Sequence, residues 1–274
     1  MPLGDAALYD DKIIVTGKME SEDAAWIVAE LQDWKNAIYS VDNTSAPLHT
    51  AENKGREANP YLTYLVENYD NLPAIIAFIH PHRDGYPRGW HNDAEGYSNV
   101  KVLQTLNLDL VLESGYVNLR CNYVPGCPDE IRPFRDWDDQ DRQSEHEYGK
   151  IWHDLFGPDQ EVPERIGTPC CAQFAVSREQ VRARPKSDYV KFLNHLRSSR
   201  LTDAVLGRVF EYLWHIMFGK EAIFCPAMQQ CYKDVFNRTV NGLKDGDFCS
   251  RADDAESGFV AVVVGAVEYN GQCG

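Results

Sequence analysis

The sequence lacks a long hydrophobic run. None of its apolar stretches approaches the roughly 20 residues that a helix needs to cross a bilayer. Its first residues contain neither the basic segment nor the apolar stretch of a secretory signal peptide. With 43% hydrophobic and 25% charged residues, the 274-residue chain has the composition of a globular protein rather than a disordered one. We therefore expect a cytoplasmic protein with no membrane partner.

The sequence also lacks the cysteine spacing of structural zinc sites. Its eight cysteines include no C-x-x-C pair, although Cys121/Cys127 and Cys225/Cys231 share the same spacing of five intervening residues. Thiols stay reduced in the cytoplasm, so an even count of cysteines does not imply disulfides there. The pattern favours buried free thiols, and we expect no metal and no other cofactor.

Positive charge is scarce, since the formal net charge is −15. An acidic surface repels phosphate, which argues against a general nucleic-acid-binding protein. The charge is uneven, however, because residues 177–200 carry seven Lys/Arg against two acids. From the pattern alone a solvated helix surface is favoured there, and a basic face for a polyanion is the alternative.

Apolar runs and helical periods alternate over the first 80 residues. The predicted strands are Lys12–Lys18, Ala37–Val41 and Ala74–His80, and the predicted helices between them are Glu22–Trp34 and Arg56–Tyr69. This alternation predicts right-handed crossovers and a mainly parallel sheet flanked by helices.

The pattern continues less regularly after residue 100. Further strands are predicted at Tyr116–Asn122 and Cys170–Val176, and further helices at Asn99–Thr105, Gln143–Phe156, Ser187–Ser199 and Thr202–Phe218. No internal repeat or break in composition divides the chain. We expect one α/β catalytic domain over residues 1–240 with a helical C-terminal part. Residues 241–274 form a C-terminal extension, interpreted as a linker followed by a strand at Gly258–Tyr269.

A dense group of polar side chains follows the third predicted strand. His80, His82, Arg83, Trp90 and His91 lie just beyond its carboxyl end, where open parallel sheets bind ligands. Three histidines within twelve residues supply groups for acid–base chemistry. A polar surface loop is the alternative, but the position directly after a buried strand favours an active site and therefore an enzyme.

Two other places offer candidate groups. Asn53, Arg56 and Glu57 lie where the second predicted helix begins, so they could hold an anion or only cap the helix. Glu211 and His215 are four residues apart on one predicted helix. This spacing suits either a catalytic base or cation-binding pair, or only an internal hydrogen bond.

The late strand is flanked by two further polar side chains. Gln173 and Ser177 lie in and after the run CCAQFAVS, but the chain has no G-x-S-x-G motif for a nucleophilic serine. Cys170 and Cys171, inside an apolar run, read as inert thiols. The phosphate-binding motifs G-x-x-x-x-G-K-[ST] and G-x-G-x-x-G are missing, and no Asp-x-Asp follows an apolar strand.

Several long motifs occur in a characteristic order between about residues 50 and 236. They are NKGREANPYLTYLVENYDNLP (53–73), FIHPHR (78–83), YVNLRCN and PGCP (116–128), CCAQFAVSRE (170–179), FEYLWHIMFG (210–219) and CP…CY (225–232). Together they resemble a fungal family, long labelled as of unknown function, that includes the arginine-containing cyclodipeptide synthases. Residues 1–50 and 237–274 lie outside the resemblance.

The resemblance implies an aminoacyltransferase of natural-product biosynthesis. Such enzymes use arginyl-tRNA and a second aminoacyl-tRNA to make cyclic arginine-Xaa dipeptides, or diketopiperazines. The family pattern is also similar to that of GT-A glycosyltransferases. A glycosyltransferase that uses a nucleotide sugar is therefore the alternative enzyme, and a non-catalytic binding protein is a third hypothesis. The oligomeric state and the second amino acid stay open.

Roles for the candidate residues follow from the chemistry that this activity requires. A guanidinium is recognised by carboxylates, an attacking amine needs a base, and an oxyanion needs donors. Glu57 and Glu211 would bind the guanidinium, and Asn53 and Gln173 would stabilise the oxyanion. The predicted catalytic residues are His80, His82, Glu211, His215 and Ser177. Whether a covalent intermediate forms stays open, and Ser177 is the first serine to test for it. The predicted substrate-binding residues are Asn53, Arg56, Glu57, Arg83, Trp90, His91, Gln173 and Tyr212. The predicted tRNA-binding residues are Arg178, Arg182, Arg184, Lys186, Lys191, Arg197 and Arg200.

Overall fold

The computed structural model describes residues 6–136 and 142–240. The strands are β1 (Lys12–Lys18), β2 (Lys35–Ser40), β3 (Ile75–Phe78), β4 (Tyr116–Asn118) and β5 (Phe174–Ser177). The helices are α1 (Ala6–Asp10), α2 (Ala25–Glu30), α3 (Ala58–Asn68), α4 (Asn99–Thr105), α5 (Leu108–Ser114), α6 (Gln143–Phe156), α7 (Arg178–Arg182), α8 (Lys186–Ser198), α9 (Asp203–Glu211), α10 (Trp214–Met217) and α11 (Met228–Phe236). Short 3-10 helices cover Tyr69–Asn71 and Glu95–Tyr97. The predicted extension 241–274 lies outside the described residues.

The five strands form one open sheet in the order β2-β1-β3-β5-β4. β1 pairs in parallel with both β2 and β3, which confirms the prediction for the first three strands. β5 runs antiparallel to both of its neighbours, β3 and β4. The sheet is therefore mixed rather than mainly parallel. A strand buried on both faces has the same residue pattern in either direction, so the sequence could not reveal the reversal.

Alternate residues of the strands face two separate apolar layers. In β3, Ile76 and Phe78 face the layer of α3, α6, α8, α9 and α10, whereas Ile75 and Ala77 face the layer of α2, α4, α5 and α11. We call these the α3 layer and the α11 layer. All four β3 residues are fully buried, which explains the uninterrupted apolar run in the sequence. Among the described residues, no helix is long and apolar enough to span a membrane.

Several predicted elements are shorter than the sequence pattern indicates. The predicted strand over Cys170–Val176 begins only at Phe174, and the predicted helix over Thr202–Phe218 is two helices, α9 and α10. The break between them falls at Tyr212 and Leu213, whose backbone N–H groups donate to carbonyls three residues back instead of four. Side chains on the two helices therefore do not share one continuous face.

Six cysteines are paired in disulfides, so the prediction of free thiols is wrong for them. Cys121–Cys231 and Cys127–Cys225 join the segment after β4 to α11 and the loop before it. The third disulfide joins the neighbours Cys170 and Cys171. Cys249 and Cys273 lie outside the described residues. Local spacing could not reveal the two long-range pairs, because their partners are 110 and 98 residues apart.

The long-range disulfides should contribute strongly to stability. A crosslink between residues 110 apart restricts the unfolded chain, and disulfides of this kind typically contribute about 2–4 kcal/mol. We expect Cys121→Ala/Cys231→Ala to lower the free energy of unfolding by about that amount in urea titrations without reductant. Cys127→Ala/Cys225→Ala removes a disulfide that closes a loop of similar length, with ends 98 residues apart. Its free energy of unfolding should fall by a similar amount. Equal stability of wild type and variants, together with free thiols at these positions in the wild type, would refute the pairing.

Candidate active site

The reversed direction of β5 places its first residue at the carboxyl end of β3, where Phe174 pairs with Phe78. Gln173 consequently lies beside the residues that follow β3. Its side-chain oxygen accepts a hydrogen bond from the His80 backbone N–H at 2.8 Å, and its Nε2 donates to the His91 carbonyl at 3.1 Å. Gln173 is fully buried and thus fixes the histidine loop to the sheet.

The histidines that follow β3 form a neutral cluster. The His80 and His91 rings lie 4.4 Å apart between centroids, and the His82 ring stacks on His91 at 6.5 Å. Burial, followed by the charges of His91, His82 and Arg56, holds the pKa of His80 well below its usual value. Burial also lowers the pKa of His91 to about 4. Nε2 of His80 is buried without a hydrogen-bond partner among the described residues, so it lacks the partner that a buried polar atom normally has.

Two carboxylates from different helices meet at the same edge of the sheet. Glu57 immediately precedes α3, and Glu211 is the last residue of α9. Desolvation, followed by the charge of Glu211, raises the pKa of Glu57 to about 7. Glu57 is only partly buried as a residue, yet its carboxyl group is enclosed enough for desolvation to be the largest cause. A pair of like charges with one raised pKa is a typical arrangement of functional sites.

Glu211 is held in place by two donors. Its Oε1 accepts from the Cys171 backbone N–H at 2.6 Å, and its Oε2 accepts from Arg208 Nη1 at 3.0 Å. Arg208 also donates to Glu130 at 2.6 Å and lies 4.8 Å above the Tyr212 ring. Arg208 is thus shared between two carboxylates, whereas Glu57 faces no such cation in direct contact among the described residues.

Two tyrosines lie next to these carboxylates. The hydroxyls of Tyr61 and Tyr212 are buried and have no hydrogen-bond partner among the described residues. Burial, followed by the charge of Glu57 for Tyr61 and of Glu211 for Tyr212, raises their pKa values well above the usual range. Both hydroxyls therefore stay protonated at neutral pH and keep a donor hydrogen that has no acceptor among the described residues.

Arg120, which was not predicted from the sequence, lies next to these residues on the β4 side. It is 3% exposed and stacks over Trp90 at 5.2 Å. Its guanidinium donates to the carbonyls of Trp90 and Val124 at 2.8 Å each and lies 3.7 Å from Cys171 Sγ. An arginine between Leu119 and Cys121, within the predicted strand YVNLRCN, was the available signal.

Comparison with protein families gives one match. Residues 14–234 match the family described as "Protein of unknown function (DUF3431)". The match covers most of the chain. This chain belongs to the DUF3431 family. Searches of curated proteins and of solved structures found no match. The family description names no activity, substrate or cofactor, so the chemistry of the DUF3431 chain is inferred from its site.

The structure brings together most of the predicted site residues of this DUF3431 chain. They are Arg56, Glu57, His80, Trp90, His91, Gln173, Glu211 and Tyr212, joined by the unpredicted Tyr61, Arg120 and Cys171; we call this set the carboxylate–histidine cluster. His82 borders the cluster through His91, and its Nε2 lies 3.7 Å from a Glu22 oxygen. The residues come from five places in the chain that share one edge of the sheet.

The turn before α3 is shaped to present Arg56 and Glu57. Gly55 has a φ of 72°, and a Cβ there would lie 2.8 Å from atoms of Leu196. Its N–H donates to Asp203 at 2.8 Å, which ties the turn to the start of α9. Arg56 follows with a φ of 53° and an exposed side chain. Glycine at position 55 is therefore required by both space and backbone conformation.

Four predicted site residues lie elsewhere. Ser177 pairs with Ile75 at the opposite edge of the sheet and accepts a hydrogen bond from the Gln180 N–H, so it caps α7 instead of facing His80. Arg83 forms a surface ion pair with Glu30. The remaining two are His215 and Asn53.

His215 and Asn53 make no contribution to the cluster geometry. His215 is fully buried and hydrogen-bonds through Nε2 to the Ala222 carbonyl at 3.0 Å, so the predicted pairing with Glu211 is replaced by other contacts. The break between α9 and α10 removes the helical spacing on which that pairing depended. Asn53 lies on an exposed loop ahead of Gly55.

Most side chains of the predicted tRNA-binding face make ion pairs or hydrogen bonds with other residues of the chain. Arg178 pairs with Asp11, Arg184 with Asp188, and Lys186 with Asp70. The other two contacts are made by Arg182, which donates to the Asp70 carbonyl, and by Arg197, which donates to Thr63. Lys191 and Arg200 are exposed. The seven residues therefore do not form one open basic surface.

A cavity of about 350 Å³ opens at the opposite edge of the sheet. It is lined by residues that include Asp11, Lys35, Tyr39 and Asn68. Its charged groups already pair with each other, since Lys35 donates to Asp11 at 2.9 Å. The hydroxyl of Tyr39 is also engaged, because it donates to Glu67. We place the candidate site at the carboxylate–histidine cluster because buried polar atoms there still need partners.

The raised pKa of Glu57 predicts a pH-dependent stability. Between its usual value of 4.5 and about 7, the unfolded chain has an ionised Glu57 while the folded chain holds it protonated. Folding then binds a proton, so the stability contributed at this position falls as pH rises through that window and stays low above it. Glu57→Gln cannot ionise, and its melting temperature relative to wild type should increase by a few degrees from pH 5 to pH 8.

Thermal unfolding of both proteins from pH 4.5 to 8.5 measures this difference. Glu57→Asp is the matched control, since it keeps an ionisable carboxyl group and should follow the wild type. Parallel curves for wild type and Glu57→Gln across this range would contradict the raised pKa.

Proposed function

We propose that this chain is an aminoacyltransferase, a tRNA-dependent cyclodipeptide synthase that makes arginine-containing cyclic dipeptides. The observation that carries the proposal is the pairing of Glu57 with Glu211 in a site that lacks a cation in direct contact with Glu57 among the described residues. A substrate guanidinium would bind between carboxylates in the bidentate manner that suits its planar donors. Its charge would favour ionised Glu57 and so offset the penalty of desolvation.

The neighbouring groups suit acyl transfer to an amine. His80, whose Nε2 has no partner among the described residues, would accept the proton of the attacking amine and pass it on at once, because its lowered pKa makes the protonated imidazole strongly acidic. The Tyr61 and Tyr212 hydroxyls would donate to the oxyanion that forms on the ester carbonyl. The amide bond then forms, the ester bond to the tRNA breaks, and the proton passes from His80 to the departing tRNA oxygen. A second transfer of the same kind closes the ring.

The amine of the substrate is the nucleophile in this proposal. Ser177, which the sequence suggested for a covalent intermediate, lies at the opposite edge of the sheet. Phosphate contacts from a tRNA would have to come from cations at the cluster, of which Arg56 is exposed. The net charge of −15 limits such contacts to a small footprint.

Production of a cyclic dipeptide tests the proposal directly. The chain would be expressed in a bacterial strain that permits disulfide formation, and extracts analysed by mass spectrometry against an empty vector. We expect a new product with the mass of cyclo-Arg-Xaa. Glu57→Gln should reduce it at least tenfold because the guanidinium loses a carboxylate partner. Arg83→Ala, which removes only the surface ion pairs with Glu30 and Asp84, should retain it. No product from folded, oxidised wild type would refute the synthase.

A GT-A-like glycosyltransferase is the second candidate, and the disulfides favour it. Long-range disulfides are typical of oxidising compartments, where aminoacyl-tRNA is not supplied. Ligand binding at the carboxyl edge of an open α/β sheet is equally compatible with a nucleotide sugar. Titration calorimetry with UDP- and GDP-sugars, with and without Mn²⁺, would detect this activity class. Saturable binding that Arg56→Ala weakens would support it over the synthase.

A further inference from the structure

The disulfide between Cys170 and Cys171 lies inside the carboxylate–histidine cluster. Cys170 is fully buried and Cys171 is 5% exposed. The two sulfur atoms and a carboxylate oxygen of Glu211 all lie within 4.8 Å of one another. This disulfide belongs to the α3 layer, whereas the two long-range disulfides belong to the α11 layer. It therefore does not share their role of fastening α11 to the sheet.

The four residues from Cys170 to Gln173 contact three polar residues of the cluster, which are Glu211, His80 and His91. The Cys171 N–H donates to Glu211 at 2.6 Å, and the Gln173 side chain binds the His80 N–H and the His91 carbonyl. A change in the path of this segment would move a carboxylate and two imidazoles together. The segment consequently couples the redox state of its cysteines to the site.

The backbone of this segment is held in an uncommon conformation. Cys171 has a φ of 90° and Ala172 a φ of 50°, in the left-handed region that residues with a Cβ rarely adopt. Such residues persist only where the surrounding structure enforces them. The bond between neighbouring cysteines is one such restraint, and without it both residues can return to negative φ. Breaking the disulfide therefore favours a different path from Cys170 to Gln173.

We propose that Cys170–Cys171 is a reversible thiol–disulfide exchange site that sets the arrangement of the carboxylate–histidine cluster, with a dithiol reductant as its reaction partner. One thiolate of the dithiol attacks the sulfur of Cys171, because Cys170 is fully buried. The Cys170–Cys171 bond breaks, Cys170 leaves as a thiolate, and a mixed disulfide forms on Cys171. The second thiol of the reductant releases it as a cyclic disulfide. Two electrons and two protons are transferred, leaving two thiols on the protein. Arg120, 3.7 Å from Cys171 Sγ, favours the thiolate form of that product.

The exchange concerns the protein's own cysteines, so it applies to either candidate activity. Its test is NMR of protein labelled with ¹⁵N-histidine, recorded before and after titration with dithiothreitol, with alkylation and mass mapping of each cysteine. We expect Cys170 and Cys171 to become alkylated in the folded protein and the His80 and His91 signals to shift as they do. Cys170→Ala/Cys171→Ala, the matched variant, should show no shift that depends on the reductant.

A second variant keeps the test independent of whether that double variant folds. Ala172→Gly removes the steric penalty at φ 50°, so the disulfide form becomes easier to hold and severalfold more reductant is needed to open it. The proposal is overturned if Cys170 and Cys171 are alkylated only when the protein unfolds, or if their alkylation leaves His80 and His91 unchanged. Neither readout requires a reaction product, so failure here is distinct from failure of the proposed function.

Discussion

The reversed direction of β5 is the constraint on which the site depends. β5 lies between β3 and β4 and is antiparallel to both, so its amino end reaches the edge at which they end. That placement puts Gln173 against His80 and Cys171 against Glu211. A parallel β5 would have brought Ser177 and the start of α7 to this edge instead. The direction of a four-residue strand thus determines which polar groups meet at this edge of the sheet.

Desolvation, followed by the like charge of Glu211, raises the carboxyl pKa of Glu57, and the cations near the cluster do not offset this rise. Arg208 is shared by Glu130 and Glu211, and Arg120 lies 3.6 Å from Asp93, so these cations are already engaged. The like charge of Glu211 raises the pKa of Glu57, and the charge of Arg56 lowers it by less. Because burying an unpaired carboxylate is unfavourable, the site is complementary to an incoming cation. A nucleotide sugar would instead place its phosphates against Arg56, with the carboxylates opposing them.

The sequence predicted the fold where local patterns carry the information. The alternation of strands and helices up to His80 is reproduced by β1, β2 and β3, because parallel strands joined by helices leave fully apolar runs such as Ile75–Phe78. The dense polar loop after β3 was correctly located for the same reason. Bounds were less accurate where tertiary contacts, rather than periodicity, end an element, as between α9 and α10.

Features that depend on distant partners could not be predicted. The direction of β5, the pairing of Cys121 with Cys231 and the burial of Arg120 all arise from segments more than 25 residues apart in sequence. The predicted pairing of Glu211 with His215 was wrong because it relied on their spacing of four residues. The two residues belong to separate helices, α9 and α10. The basic stretch 177–200 was visible as composition, whereas its internal ion pairs required the neighbouring helices and loops.

Reducing and oxidising conditions act differently on the two layers of the protein, because their disulfides have different positions. The long-range disulfides fasten α11 on one face of the sheet, while Glu57, Glu211 and the Cys170–Cys171 pair belong to the other face or its edge. Loss of the long-range disulfides in a reducing compartment would therefore lower stability through α11 and leave the contacts of the α3 layer in place. The Cys170–Cys171 pair differs, because its reduction acts on Glu211 and Gln173 directly. Oxidising conditions thus have two effects on this chain. They stabilise the fold through the long-range disulfides of the α11 layer, and they fix the geometry of the site through Cys170–Cys171 in the α3 layer.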